Sequence, residues 1–268
     1  MAQFILPKDI PLDQYPKKEV FLEEGKRITE AAQQKGIYLR VMGPLALHYY
    51  FPDKIELYAR LERLGERYFT DIDYATYGKT RKHLMDFFKS MGYECDLATM
   101  AMTGKTRHIY FGGKVPMIDV FIDELNYCHK VSFEGRLDKD PWSIPLADIL
   151  LQKLQIWEIN DKDLKDIEFL FIVSEFGDDD ERKINQSYIA KRFADDWGFW
   201  YTATTNLDRV KQHVDTVAAL TDEEKAKVKQ MADHLRARID AEPKTKGWEK
   251  RAKKGTKKIW YNQGFSDW

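Results

Sequence analysis

Two aspartates separated by a single residue are the part of this sequence whose spacing points most directly to chemistry. Asp71 and Asp73 flank Ile72 in FTDIDYATY, which mixes aromatic and β-branched residues with acids in the pattern of a strand. On a strand, both carboxylates share one face while Ile72 turns to the core. Adjacent carboxylates repel each other unless a cation lies between them. Mg²⁺ is usually held by one or two carboxylates together with substrate phosphates, which this pair matches.

A third carboxylate, Asp119, lies in the apolar, strand-like run MIDVFID. A buried aspartate needs a partner or a metal ion. Asp123 shares its strand face but is about 13 Å away, too far to bind the same ion, at about 3.3 Å per residue. We therefore predict that Asp71, Asp73 and Asp119 are the catalytic residues and the ligands of Mg²⁺ or Mn²⁺. Three carboxylates with metal ions would serve phosphoryl-group transfer to a hydroxyl, in which Asp119 would be the ligand nearest the attacking hydroxyl and a candidate for its general base.

The elements that would position these residues alternate between helix and strand. Helical spacing over residues 18–35 is followed by a strand that ends at the Gly43 turn and by a second helix. An amphipathic helix is predicted over residues 54–67, before the Asp71 strand. Three β-rich runs between residues 93 and 123 favour an antiparallel addition to the same sheet. The pattern predicts an α+β domain over residues 1–140, with a mixed sheet flanked by helices.

The rest of the chain has a different pattern. From Pro145 onward the apolar spacing is helical, which predicts a helical domain over residues 141–243. Within it, Asp161 and Asp163 are suited to the capping and first turn of a helix. Residues 244–268 place eight basic residues between Lys244 and Lys258, then several aromatics, without an apolar period. We predict a basic, aromatic tail there.

Bulk properties narrow the class of protein. The chain has 268 residues and 43% hydrophobic content, enough for one large domain or two modest ones. Its 43 Lys and Arg against 44 Asp and Glu leave a net charge of −1, so a charged partner must be recognised by a local patch. Two cysteines are too few for a disulfide framework. Because neither a signal peptide nor a membrane helix is indicated, we expect a cytoplasmic protein without membrane contact.

Three segments in order resemble the motifs of a known superfamily. VMGPLALHYY, FTDIDYATY and VPMIDVFID resemble the three motifs of the DNA polymerase β-like nucleotidyltransferases. The segment IPLADILLQKLQIWEINDKDLKDIEFLF is similar to the region after the catalytic core in bacterial AbiEii-type nucleotidyltransferases. The likeness covers residues 36–172, about half of the chain, and its strength lies in order and spacing. It implies a nucleotidyltransferase-like fold.

The resemblance also implies an activity and its ligands. It implies a Mg²⁺-dependent enzyme that transfers NMP from ATP or another NTP to a hydroxyl of tRNA, protein or a small molecule. Gly43 would contact the nucleotide phosphates, and Lys153 in LLQKLQ would point toward the nucleotide. The residues alone leave a second interpretation for Lys153, a side chain that extends to the surface. The resemblance also allows an antitoxin protein as a partner.

One departure from the family pattern keeps two alternatives open. Gly43 is followed by Pro44, which has neither a hydroxyl nor an N–H for phosphates, where the family usually has Gly-Ser or Gly-Gly. One alternative is a catalytically degenerate protein that binds nucleotide or a partner without turnover. The other is a nucleic-acid-binding protein in which the tail contacts phosphates and Trp248, Trp260 and Tyr261 stack on bases. A solvated or partner-docking tail fits the same composition.

Overall fold

A computed structural model of the chain describes residues 5–65 and 67–263. Within those ranges the chain forms eleven α-helices and nine strands. The helices are α1 (Lys18–Gln34), α2 (Gly43–Tyr50), α3 (Ile55–Arg60), α4 (Arg81–Ser90), α5 (Leu97–Thr103), α6 (Leu146–Leu154), α7 (Asp161–Val173), α8 (Gln186–Asp195), α9 (Trp197–His213), α10 (Asp222–Ala241) and α11 (Lys246–Ala252). The strands are β1 (Arg40–Val41), β2 (Ile72–Thr76), β3 (Glu94–Cys95), β4 (Arg107–Phe111), β5 (Met117–Ile122), β6 (Glu124–Asn126), β7 (Lys130–Ser132), β8 (Phe176–Gly177) and β9 (Ile184–Asn185).

The chain divides into two compact units that interleave along the sequence. The first contains the residues up to Ile55 together with Leu64–Leu125 and Ser132–Ile144. The second contains Glu56–Arg63, Asn126–Val131 and the chain from Pro145 onward. The division differs from the predicted blocks of residues 1–140, 141–243 and 244–268, because two short segments from the first 140 residues pack with the helices of the second unit.

A five-stranded mixed sheet forms the centre of the first unit. Its strand order is β1-β2-β5-β4-β3, in which β2 and β5 run parallel and every other neighbouring pair is antiparallel. All six residues of β5 are buried, as expected for a central strand covered on both faces. The α+β class and the mixed sheet predicted from the sequence are confirmed.

Two amphipathic helices of the first unit bury the apolar faces that their sequences indicate. Helix α1 buries Phe21 and Ile28, and α4 buries Leu84 and Phe88. The Phe88 ring stacks on Tyr110 of β4, with ring centroids 4.1 Å apart. A fully buried aromatic side chain of this kind contributes a large share of the hydrophobic free energy of a domain. The sheet that carries the aspartates is therefore anchored to α4 by aromatic packing.

Local structure corrects the sequence prediction in two places. The helix expected over residues 54–67 ends at Arg60, since Glu62 and Gly65 have positive φ angles of 47° and 60°, which no helix continues through. The β-rich run expected from residue 93 holds only the short β3 before α5 begins. Asp96 caps α5 by accepting hydrogen bonds from the N–H groups of Ala98 and Thr99, and such a cap favours helix over strand.

Helices dominate the second unit. Helix α10 begins with a capping box in which Thr221 and Glu224 satisfy each other's backbone N–H groups. Buried Asn206 of α9 donates from its amide to the carbonyls of Leu154 and Ile156, at 3.1 and 2.7 Å, so the polar group does not remain unsatisfied inside the helical core. The helical region predicted from Pro145 onward agrees with this arrangement. Within the described residues, no helix has the length and apolar character needed to span a bilayer.

Residues 244–263 do not form an extended tail. They contain α11, which Thr245 caps, and a following segment that packs on the second unit. The indole N–H of Trp260 donates to Thr202 at 3.1 Å, and the backbone N–H of Asn262 donates to the carbonyl of Cys128 at 2.9 Å. The aromatic residues that composition assigned to a tail are the ones that hold the segment in place. The last five residues of the predicted tail, 264–268, lie outside the described residues.

Candidate functional site

The sheet of the first unit places two of the predicted aspartates side by side. Asp73 on β2 and Asp119 on β5 are direct partners in the parallel register. Asp71 immediately precedes β2 and has the same side-chain parity as Asp73, whereas Ile72 between them is fully buried. Asp71 and Asp73 are both partly exposed.

Asp119 is held by an arginine that the sequence did not single out. Arg107 on β4 lies diagonally across from Asp119, since the register pairs Arg107 with Phe121 and Ile109 with Asp119. The Arg107 Nε lies 2.9 Å from each carboxylate oxygen of Asp119, and Nη2 also donates to Oδ2. The guanidinium lies over the Phe121 ring, 5.4 Å from its centroid. Asp119, only 2% exposed, therefore has the cationic partner that a buried carboxylate requires.

Burial, Arg107 and the nearby Asp71 all act on the pKa of the Asp119 carboxyl. The pKa of the Asp119 carboxyl is raised to about 6, chiefly by burial, against the hydrogen bonds and charge of Arg107, which lower it. The negative charge of Asp71 adds to the upward shift of this pKa, which means that the two carboxylates are close enough to repel each other. A positively charged ligand at this edge of the sheet would relieve that repulsion.

Gly43 brings the start of α2 against Asp73. Its φ angle of +59° lies in the left-handed region, which glycine adopts without strain. A Cβ atom at this position would lie 3.3 Å from the Oδ2 atom of Asp73. The backbone N–H of the preceding Met42 donates to the Asp73 carbonyl at 2.9 Å, which fixes the turn beside the strand. The predicted glycine turn and the predicted Asp-X-Asp strand are thus adjacent in space.

Replacing Gly43 with alanine is expected to affect both stability and function. The left-handed backbone should cost about 1–2 kcal/mol of unfolding free energy, measured by urea denaturation. The new methyl group should also push on the Asp73 carboxylate and weaken Mn²⁺ binding measured by titration calorimetry. Gly36→Ala is the matched control, because Gly36 has a φ angle of +67° but a Cβ there would meet no atom of a non-adjacent residue within 4 Å. Equal Mn²⁺ affinities for the two variants would contradict the assignment of Gly43 to the site.

Lys153 takes part in a buried ionic cluster of the second unit. Its amine lies 2.5 Å from Asp163 and 2.9 Å from Asp166. Asp166 also pairs with Arg63 at 2.7 Å and accepts a hydrogen bond from Tyr58 at 2.8 Å. Burial opposes the charge on Lys153, but the two carboxylates outweigh it, so the pKa of Lys153 lies above its usual value. Lys153 is thus a member of a buried ion-pair cluster, and the nucleotide contact that the resemblance implies stays a prediction.

The three predicted metal ligands do not form a ready-made cage. Among residues 5–65 and 67–263, no group of three or more His, Cys, Asp or Glu side chains is arranged to hold a metal ion. The bidentate contact with Arg107 accounts for Asp119. The other aspartate considered from the sequence, Asp123, accepts a hydrogen bond from the Gly78 N–H at 2.7 Å and belongs to a turn. Asp71 and Asp73 are the pair that fits the usual Mg²⁺ mode of one or two carboxylates completed by substrate phosphates.

Sequence reasoning missed Arg107 and Arg63. Each is one of many basic residues in a chain with 43 of them, and nothing in its neighbouring sequence distinguishes it.

Comparison of the chain with protein-family models, with curated proteins and with solved structures finds no match. The geometry of Asp71, Asp73, Asp119, Arg107 and Gly43 is therefore the basis for a functional assignment.

Proposed function

We propose that the protein is a metal-dependent nucleotidyltransferase that transfers NMP from an NTP to a hydroxyl acceptor. The observation that carries this proposal is the placement of Asp73 beside Asp119 on adjacent parallel strands, with the Gly43 turn against the Asp73 carboxylate. The order of the three motifs along the sequence supports the same assignment. The acceptor would be tRNA, a protein or a small molecule.

Asp71 and Asp73 are the residues that would hold the ion. Asp73 lies on β2, Asp71 immediately precedes that strand, and both residues are partly exposed. A bound Mg²⁺ or Mn²⁺ would neutralise triphosphate charge and lower the pKa of the attacking hydroxyl. Because such ions keep several ligand positions for water and phosphate, two carboxylates from the protein suffice.

Arg107 and Asp119 have linked roles in this proposal. Arg107 remains 20% exposed at its side chain, although it binds a nearly buried carboxylate. A guanidinium in this position presents N–H donors with the geometry that phosphate oxygens accept. Asp119 would orient Arg107 toward the triphosphate, and its own charge would be balanced by the arginine rather than by the ion. The role first expected for Asp119, that of a third metal ligand, becomes one of positioning.

The Gly43 turn would admit the phosphates. Without a side chain at Gly43, a phosphate can approach the backbone at the start of α2, close to Asp73. Pro44 contributes no N–H, so phosphate contacts at this turn must come from other backbone groups. The same residue is the observation that favours the second candidate, a degenerate protein of this fold that binds nucleotide without turnover.

A labelled-transfer assay tests the proposal. The protein is incubated with labelled NTPs, Mg²⁺ and pooled tRNA, and pyrophosphate release is followed in parallel. Asp71→Ala combined with Asp73→Ala should reduce transfer by about 10³-fold or more, the order of effect seen when a group that stabilises transition-state charge is lost. Asp86→Ala combined with Glu94→Ala removes two exposed acids of the same unit and should leave transfer unchanged.

The outcomes separate the candidate functions. Transfer that survives the double change at Asp71 and Asp73 would rule out this site. Thermal stabilisation by NTP and Mn²⁺ without pyrophosphate release would favour the degenerate protein, because ligand that binds only the folded chain raises its stability by mass action. If neither transfer nor thermal stabilisation is observed, both candidate functions are excluded.

A further inference from the structure

A row of exposed lysines runs along α11 and the segment after it. Lys246, Lys250, Lys253 and Lys257 are all exposed and recur at intervals of three or four residues, with exposed Lys254 beside them. The backbone is helical through α11, and Gly255, with a positive φ angle of 50°, then ends that helix and begins a short 3₁₀ turn. Lys246, Lys250 and Lys253 therefore share one face of α11, whereas Lys257 and Lys258 lie on the segment after the helix. We refer to these five lysines, with Lys258, as the lysine row.

The opposite face of the same stretch is fastened to the second unit. Trp248 packs edge-on against Trp200, with ring centroids 5.1 Å apart. Arg251 lies 4.6 Å above the Trp197 ring and donates to the carbonyls of Gly255 and Lys258, at 2.9 and 2.8 Å. The lysine row is therefore displayed on a fixed backbone rather than on a mobile tail, so less conformational entropy is lost when it binds a partner.

Trp260 and Tyr261, which the sequence suggested for base stacking, pack against other aromatic rings of the second unit. Trp260 lies edge-on to Trp157 at 4.8 Å and to Tyr201 at 5.1 Å, and Tyr261 packs against Trp157 at 5.7 Å. Their faces and edges contact each other inside the second unit. A ligand on this surface would meet lysine amines and no unoccupied stacking platform, among the residues that the structure describes.

The charge of the segment is strongly one-sided. Residues 244–258 hold eight basic side chains and one acid, Glu249, a net charge of +7. The whole chain has a net charge of −1, so the remainder carries −8. A local excess of this size creates a positive potential that attracts polyanions even though the protein as a whole is nearly neutral.

We propose that the lysine row binds the sugar-phosphate backbone of double-helical nucleic acid, without reading its base sequence. Lysine is a compact point charge that suits phosphate contacts, and amines held on α11 and on the packed segment after it can contact successive phosphates of a duplex. Insertion into a lipid surface is disfavoured, because an interfacial helix needs a free apolar face and this helix packs its aromatic face within the unit. The inference does not depend on the nucleotidyltransferase proposal.

Binding assays with the full chain test this inference. The probe is a fluorescein-labelled RNA hairpin of about 16 base pairs, the span that a double-stranded RNA-binding domain covers. The variant replaces Lys250, Lys253, Lys254 and Lys257 with glutamine, which keeps a polar side chain at each of these exposed positions and so should preserve the fold. We expect at least a tenfold loss of affinity and a salt dependence whose logarithmic slope is shallower by about three to four, since each duplex phosphate contact contributes about 0.9.

Two controls make the result specific to the lysine row. Glutamine at Lys82, Lys89, Lys105 and Lys191, which are also exposed, removes the same charge from other surfaces and should change affinity by less than a factor of about three. Hairpins of unrelated sequence and a DNA duplex of equal length should bind within about tenfold of the first probe.

Several results would overturn the inference. An equal loss in the control variant would show that only net charge matters. An unchanged slope in the lysine-row variant, or strong preference for one hairpin sequence, would exclude backbone binding by these residues. Binding of the wild-type chain to phosphatidylserine vesicles but to no nucleic acid would assign the surface to membranes instead.

Discussion

Replacing Asp166 with alanine should lower the unfolding free energy of the second unit by about 3–5 kcal/mol, the usual result of breaking a buried ion pair from one side. Asp166 is 1% exposed and compensates Arg63 at 2.7 Å and Lys153 at 2.9 Å. Without it, Lys153 keeps Asp163, but Arg63 has lost its carboxylate in a site from which water is excluded. The buried cluster then carries an uncompensated positive charge.

Tryptophan fluorescence during urea denaturation measures this effect directly. Trp157, Trp197, Trp200, Trp248 and Trp260 all lie in the second unit. Asp233→Ala is the control, since Asp233 pairs with Lys211 at the surface with 63% of its side chain exposed, and its loss should cost at most about 1 kcal/mol. Equal midpoints for the two variants would show that the buried cluster contributes nothing particular to stability.

The pair of Arg107 and Asp119 should show strong energetic coupling in the first unit. Arg107→Met leaves Asp119 buried without a cation and should destabilise the metal-free protein by about 3 kcal/mol or more. Asp119→Leu should cost less, because Arg107 is partly exposed and can reach water. The double variant should be more stable than the sum of the single effects predicts, with a coupling energy of about 2–3 kcal/mol. Far-UV circular dichroism during urea denaturation supplies the four free energies.

Arg107→Met should also change how the unfolding free energy depends on pH. Burial raises the pKa of Asp119 from 3.8 to about 6. Between these two pH values the folded chain binds more protons than the unfolded chain. Ionisation of Asp119 therefore lowers the unfolding free energy as pH rises through this window. Removing Arg107 takes away an influence that lowers the pKa. Stability of Arg107→Met should therefore continue to fall above pH 6, where the contribution of Asp119 in the wild type has levelled off. Parallel curves of stability against pH for the wild type and Arg107→Met would contradict this pairing. Arg81→Met, which removes an exposed arginine, is the control and should follow the wild-type curve.

Local patterns predicted much of the fold around the site. Alternation at Asp71, Ile72 and Asp73 predicted the orientation of that strand, since side-chain parity is a property of the strand alone. The turn at Gly43 and the helix over residues 18–35 followed from the turn residue and from helical periodicity in the same way. Of the three β-rich runs predicted between residues 93 and 123, the second and third form β4 and β5, whereas the first forms only the short β3, because the capping side chain of Asp96 starts a helix there.

Features that depend on register between distant segments could not be predicted. Asp73 meets Asp119 only because β2 and β5 pair in parallel with one particular alignment, and Arg107 reaches Asp119 only through the β4–β5 register. A shift of one residue would turn Arg107 to the other face of the sheet. The packing of the basic segment from Lys244 could not be predicted for a related reason, because its packing face is made of rings whose partners lie on other helices.

The interleaving of the two units has a consequence for how the protein can be made and cut. A chain that ends at residue 144 would keep Tyr58 and Arg63 but lack Asp166, their partner 108 residues after Tyr58 in the sequence. During synthesis, the segment Glu56–Arg63 would leave the ribosome long before the helices that complete its core, and it would stay hydrated until then. Closing so long a loop slows folding, so the second unit should mature late, and truncation at the boundary after residue 144 should yield a first unit with an exposed, unsatisfied arginine-bearing loop.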